Sequence, residues 1–157
     1  MPDIAFDHWA RALVVLHAAA AIVLIGATTH HALIARGYVD SRAPKLRLGK
    51  IYAATMAASY LVALVVGLLA YPAYRYRVRG VYFDRYEPWA SNLFDVKENF
   101  AALGIPLVIA LWVMSRSIDP QRDRELVGGY LALSLAIAAI VWFDVLAGLA
   151  VTLARGV

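Results

Sequence analysis

"ALVVLHAAAAIVLIGATTHHALIA", residues 12–35, lies between Arg11 and Arg36 and contains no Asp, Glu, Lys or Arg. Coiled at ~1.5 Å per residue, such a run crosses a hydrocarbon core of ~30 Å. Only a helix satisfies its own backbone inside lipid, so the stretch reads as a transmembrane helix. Three further runs repeat the signal, at residues 51–71, 95–115 and 126–154, the second closed by Pro72. The third is apolar only from Asn99, but Ser91 or Asn92 offers an N-cap upstream, and Asp95 then falls in the dipole-favoured first turns. The predicted fold is all-α: an integral membrane protein forming a single four-transmembrane-helix bundle over residues 1–157. One long aromatic, Arg-rich interfacial loop, 72–98, interrupts it.

Composition agrees. The 157 residues are 62% hydrophobic, against roughly half for a soluble domain. The absence of cysteine excludes disulfides, iron–sulfur ligation and thiolate metal sites. The net charge of +4 is spread over the segments between apolar runs, which is membrane-flanking charge, not a nucleic-acid footprint. The start "MPDIAFDHWAR" has no basic leader, so no cleavable signal peptide is expected.

With four crossings, both termini share a side with the 72–98 loop. The segment "RGYVDSRAPKLRLGK" (36–50) is short and strongly basic, as a cytoplasmic turn is. The termini and the long loop are therefore expected outside, in a bacterial inner membrane. That loop reads "YPAYRYRVRGVYFDRYEPWASNLFDVKEN" (71–99) and is dense in Tyr, Phe and Trp, residues of the headgroup level. It is expected to lie on the membrane, to cap a site, or to dock other membrane subunits. Arg75, Arg77 and Arg79 alternate, so in an extended chain they point one way. Lipid phosphate, a partner's carboxylates, or Asp84, Glu87 and Asp95 of the same loop would satisfy them. Further on, Pro106 cannot bond the Ala102 carbonyl and is expected to bend its helix. "LVGGY" (126–130) reads as packing glycine.

Three of the four histidines fall in the first helix. His17 and His31, fourteen residues apart, return to within about 40° of one face and stand ~21 Å apart along the axis. His17 lies ~9 Å inside one surface, and His30 and His31 lie near the other. This spacing resembles that of membrane cytochromes b, in which one helix carries two histidines that ligate two stacked haems. The resemblance covers one helix, and it implies haem b ligation by His17 and His31, with His30 beside them. The matching histidines of a second helix are absent here, so another copy or another subunit would have to supply them. The plainer alternative is that His17 bonds a neighbour and the His30–His31 pair sits at the headgroup boundary.

Asp144 stands alone in "IVWFDVLAGL" (140–149), ~15 Å deep. An unpaired carboxylate there costs on the order of 2.5–3.5 kcal/mol, so Asp144 should face the bundle interior. Topology places His17, Asp144, Lys97 and Glu98 in one half of the membrane. A metal site of His17, Glu98 and Asp144 is one use of them; a haem or quinone site and proton relay are others. No P-loop, nucleophile motif, Glu-x-x-His pair or inverted repeat is visible, and no reaction is fixed. The function expected is a haem- or quinone-interacting subunit of a membrane electron-transfer complex. The alternatives are a non-catalytic accessory subunit of a respiratory or photosynthetic assembly, and a metal or proton carrier. Expected partners are membrane lipids and either a second copy or other membrane subunits.

Overall fold

The computed structural model describes residues 4–40 and 45–155. Four long helices carry the fold: α1 (Ala10–Val39), α2 (Leu46–Tyr74), α3 (Pro88–Ser117) and α4 (Arg124–Ala154). Each is long and apolar enough to cross a membrane, and no strand occurs among the described residues. The helices form a ring, with α1 beside α2 and α4, and α3 beside α2 and α4. Among the described residues no Cα atoms of the diagonal pairs come within 8 Å, so each helix runs beside two neighbours and keeps one outward face.

That outward face is greasy. Ile22, Leu33, Leu61, Leu68, Leu103 and Leu153 are all exposed, which is tolerable only where lipid covers them. The interior is smaller and more polar. Along α1 and α2, Ala27, Ala35, Ala53, Ala63 and Ala70 are buried, and small side chains let membrane helices approach closely. Met56, Leu111, Ile137 and Tyr130 fill the middle.

All four helices overrun the apolar limits read from sequence by a few residues, because a helix need not stop where lipid does. α3 begins at Pro88, not near Ser91 or Asn92. Proline at the first helical position loses a donor that had no partner anyway, and Ser91 donates instead to Asp84 Oδ1 at 2.6 Å.

Pro72 does not close α2. The helix runs through it to Tyr74, widens into a π-helix over Arg75–Phe83, and returns to α-helix at Asp84–Tyr86. The expected interfacial loop is therefore helical. A proline's missing donor and ring clash can be absorbed by local widening of the helix. The arginines then cannot point one way. Arg75 lies over the Tyr71 ring, Arg77 binds Asp7, and Arg79 binds Asp95 and Asp84. Glu87 accepts from Trp89 Nε1.

The widened segment folds back on the bundle. Val78 and Phe83 pack with Ala90 of α3 and Val151 of α4 in a small separate core, and Tyr74 stacks on Phe94 with centroids 4.3 Å apart. This cap covers the end where α3 begins and α4 finishes; the α1–α2 and α3–α4 turns make the opposite, turn end.

Pro106 lies inside α3 without interrupting it, and a turn before it the Tyr60 hydroxyl donates to the Ala101 carbonyl at 2.6 Å. The acceptor lies one residue before the carbonyl expected to be free. Gly104 makes this possible, since a Cβ there would collide with the Tyr60 ring. Gly128 and Gly129, by contrast, are exposed and a Cβ on either would meet nothing, so the glycine pair packs against no other helix among the described residues; the packing of "LVGGY" is done by Val127 and Tyr130.

Candidate functional site

The inward face of α1 holds both His17 and His31, as fourteen residues of helix require. Near the turn end, His31 is fully buried. Its Nδ1 lies 2.8 Å from Ser134 Oγ and its Nε2 lies 2.8 Å from Tyr130 Oη, both on α4. Ser134 and Tyr130 are four residues apart and so present both hydroxyls to one ring. A tyrosine hydroxyl donating to one nitrogen leaves the other nitrogen to donate to the serine. Both ring nitrogens are thus engaged by α4. His30 is exposed, bonds the Gly26 carbonyl at 2.7 Å through Nδ1, and stacks on Tyr52.

His17 is held differently. Its Nδ1 lies 2.8 Å from the Ala63 carbonyl on α2. The ring packs beside Gly67, where a Cβ would stand 3.2 Å from it. A carbonyl only accepts, so Nδ1 carries the proton and Nε2 keeps a lone pair. Nε2 has no hydrogen-bond partner among the described residues. A ring fixed through one nitrogen by a carbonyl, with the other open, is the arrangement a ligating or hydrogen-bond-accepting histidine uses.

Asp144 faces inward, seven residues on from Ile137 and three from Val141, both buried. Its Oδ1 is buried and has no hydrogen-bond partner. The only other such oxygen among the described residues is the Tyr74 hydroxyl, under the cap. Lys97 is the charged side chain that His17 and Asp144 both sense. Its stem crosses to α4, where a Cβ on Gly148 would sit 3.4 Å from Lys97 Cε. Its ammonium also lies 5.5 Å from the centre of the Phe94 ring. Tyr60 is a fourth neighbour, within electrostatic reach of Asp144.

Glu98 belongs to a different group. Besides adjacent Lys97, the charges it senses are Asp95, Arg79 and Arg75, because one residue along α3 is a turn of ~100° away. Arg79 grips Asp95 through two parallel bonds of 2.5 and 2.8 Å and reaches Asp84 at 3.6 Å. The set His17, Glu98 and Asp144 is thus not assembled. No three His, Asp or Glu side chains stand together to hold a metal among the described residues.

Lys97 and Tyr60 were not singled out as site residues by sequence. A signal for Lys97 existed: it lies seven residues before Gly104, eleven before Val108 and fourteen before Leu111, all buried. Lys97 therefore continues the inward stripe of α3. Tyr60 gave no such signal, since a tyrosine in an apolar run reads as core.

Together these features define an all-α, four-helix bundle of membrane-crossing length, with a polar cluster under a helical cap. No family model, no curated protein sequence and no solved structure matches the chain.

Proposed function

We propose that this chain is a redox-linked subunit of an electron-transfer complex in a bacterial inner membrane, with its termini and cap outside. In this reading the cap-end cluster binds the polar head of a lipophilic quinone. The supporting observation is the buried Asp144 oxygen without a partner. Such an oxygen is costly in lipid and marks a functional position by default. The groups this reading enlists are the Lys97 ammonium as donor, whose charge acts on both Asp144 and His17, the Tyr60 hydroxyl, and His17 with an open nitrogen. Reduction of a quinone to a quinol takes two electrons and two protons. The electrons come from a partner redox subunit, and Asp144 with His17 passes the protons.

The test is a titration of purified protein with a short-chain benzoquinone or naphthoquinone, followed by quenching of tryptophan fluorescence. Saturable binding is expected, weakened about tenfold or more in Asp144→Asn and Lys97→Met and unchanged in His30→Ala. Absence of saturation in the wild type, or equal binding by all four proteins, overturns it. A Soret band after haem-replete expression that is lost in His17→Ala would move the reading to haem b with His17 as axial ligand.

A second reading, a non-catalytic accessory subunit, is favoured by the bonds that tie helix to helix. His31 and Trp142 join α1 to α4, and Tyr60 joins α2 to α3. It requires Asp144→Asn to bind no quinone differently while lowering the yield of the assembled complex.

A further inference from the structure

At the turn end, far from the cap cluster, a cleft of about 260 Å³ opens between the close of α1 and the start of α2. Its lining includes Leu33, Ile34, Gly37, Tyr38 and Leu48. Exposed Lys45 also lines it, as do His30 and Tyr52, stacked on each other. Small-molecule pockets run to ~300–1,000 Å³, so the cleft takes part of a chain and not a whole cofactor. Its lining divides as a phospholipid does, into apolar walls and a rim with a cation. Lys45, Arg47 and Lys50 are all exposed, and none makes an ion pair among the described residues. The Tyr52 hydroxyl likewise has no hydrogen-bond partner among them.

We propose that this cleft is the binding site of one anionic glycerophospholipid, its acyl chain along Leu33, Ile34 and Leu48 and its phosphate against Lys45. Positive charge alone would attract free phosphate or any acidic headgroup; the apolar walls select a molecule that brings a chain. The three unpaired cations select against zwitterionic lipid, since each basic residue at an anionic surface adds to binding. Tyr52 contributes a hydroxyl at the level where tyrosine meets headgroups.

Native mass spectrometry of the full chain in a neutral detergent tests this, with phosphatidylglycerol and phosphatidylcholine of identical chains as probes. Phosphatidylglycerol is expected to be retained in preference, with affinity falling about fivefold in Lys45→Gln. Gly37→Leu is the sharper variant. Gly37 lines the cleft and a Cβ there meets nothing within 4 Å, so leucine at this position is expected to occupy the space without a backbone clash. It should abolish retention while leaving the melting temperature unchanged. Glycerol 3-phosphate in excess should not displace the lipid. Equal retention of the two lipids, retention unaffected by Gly37→Leu, or full displacement by glycerol 3-phosphate each overturns the proposal. None of these outcomes bears on the quinone reading, which rests on the other end of the bundle.

Discussion

His31 and His17 lie on one face of one helix, and their surroundings could hardly differ more. At the turn end, the His31 ring meets two side-chain hydroxyls of α4, so both nitrogens are occupied and α1 is locked to α4. At the cap end, the His17 ring meets one backbone carbonyl of α2. Lys97, whose charge acts on it, makes no ion pair among the described residues, and Asp144, on which Lys97 also acts, has a buried oxygen without a hydrogen-bond partner. Lipid offers no water to complete an unfinished set, so completeness marks a fastening and incompleteness marks a place for something else. Burial alone does not separate the two histidines. The count of partners does.

That contrast can be broken, and the largest effect should come at His31. Membrane hydrogen bonds average only ~0.6 kcal/mol, so two lost bonds give about 1 kcal/mol, and the void adds about 2 more. His31→Ala should therefore lower stability by about 3 kcal/mol, read from unfolding in mixed micelles. A loss below about 1 kcal/mol would mean that the Tyr130–Ser134 pair reorganises freely. Gly104→Ala comes next, at about 2 kcal/mol, because the new methyl must displace the Tyr60 ring. A normal melting temperature for this variant would show that Tyr60 swings aside at little cost. Arg79→Lys gives up the paired bonds to Asp95 and should cost about 1 kcal/mol. Protease sensitivity of the cap should rise with it, while the spans stay protected.

Smaller effects are assigned to the cap-end groups. With one hydrogen bond at stake, His17→Ala should cost about 0.6 kcal/mol. Asp144→Asn should leave stability level or slightly raised, since it removes a carboxylate whose buried Oδ1 has no hydrogen-bond partner. Equal losses for His17→Ala and His31→Ala would erase the distinction between fastening and site.

The crossings were legible because hydropathy acts residue by residue along the chain. Asp144 was legible as inward-facing because a lone carboxylate has nowhere else to go. Glu98 was misgrouped for a geometric reason: shared membrane depth does not imply a shared face, and adjacent residues on α3 diverge. His31 could not be separated from His30 by pattern, because its partners, Ser134 and Tyr130, are a hundred residues away and ordinary in their own run. The 75–83 segment was missed because proline and alternating arginines have clear meanings in a strand or loop, and none in a π-helix. Its aromatic content was informative, but for packing onto Ala90 and Val151 as much as for the headgroup layer.

The bond between Arg77 and Asp7 has a bearing on biogenesis. Asp7 leaves the ribosome seventy residues before Arg77, which stands at the far end of the crossing made by α2. The N-terminal turn can be fixed only after α2 has traversed the bilayer and placed its end beside it. Correct insertion of the first hairpin is thus recorded in a single ion pair, and a hairpin inserted with only α1 in place would leave Asp7 without that partner.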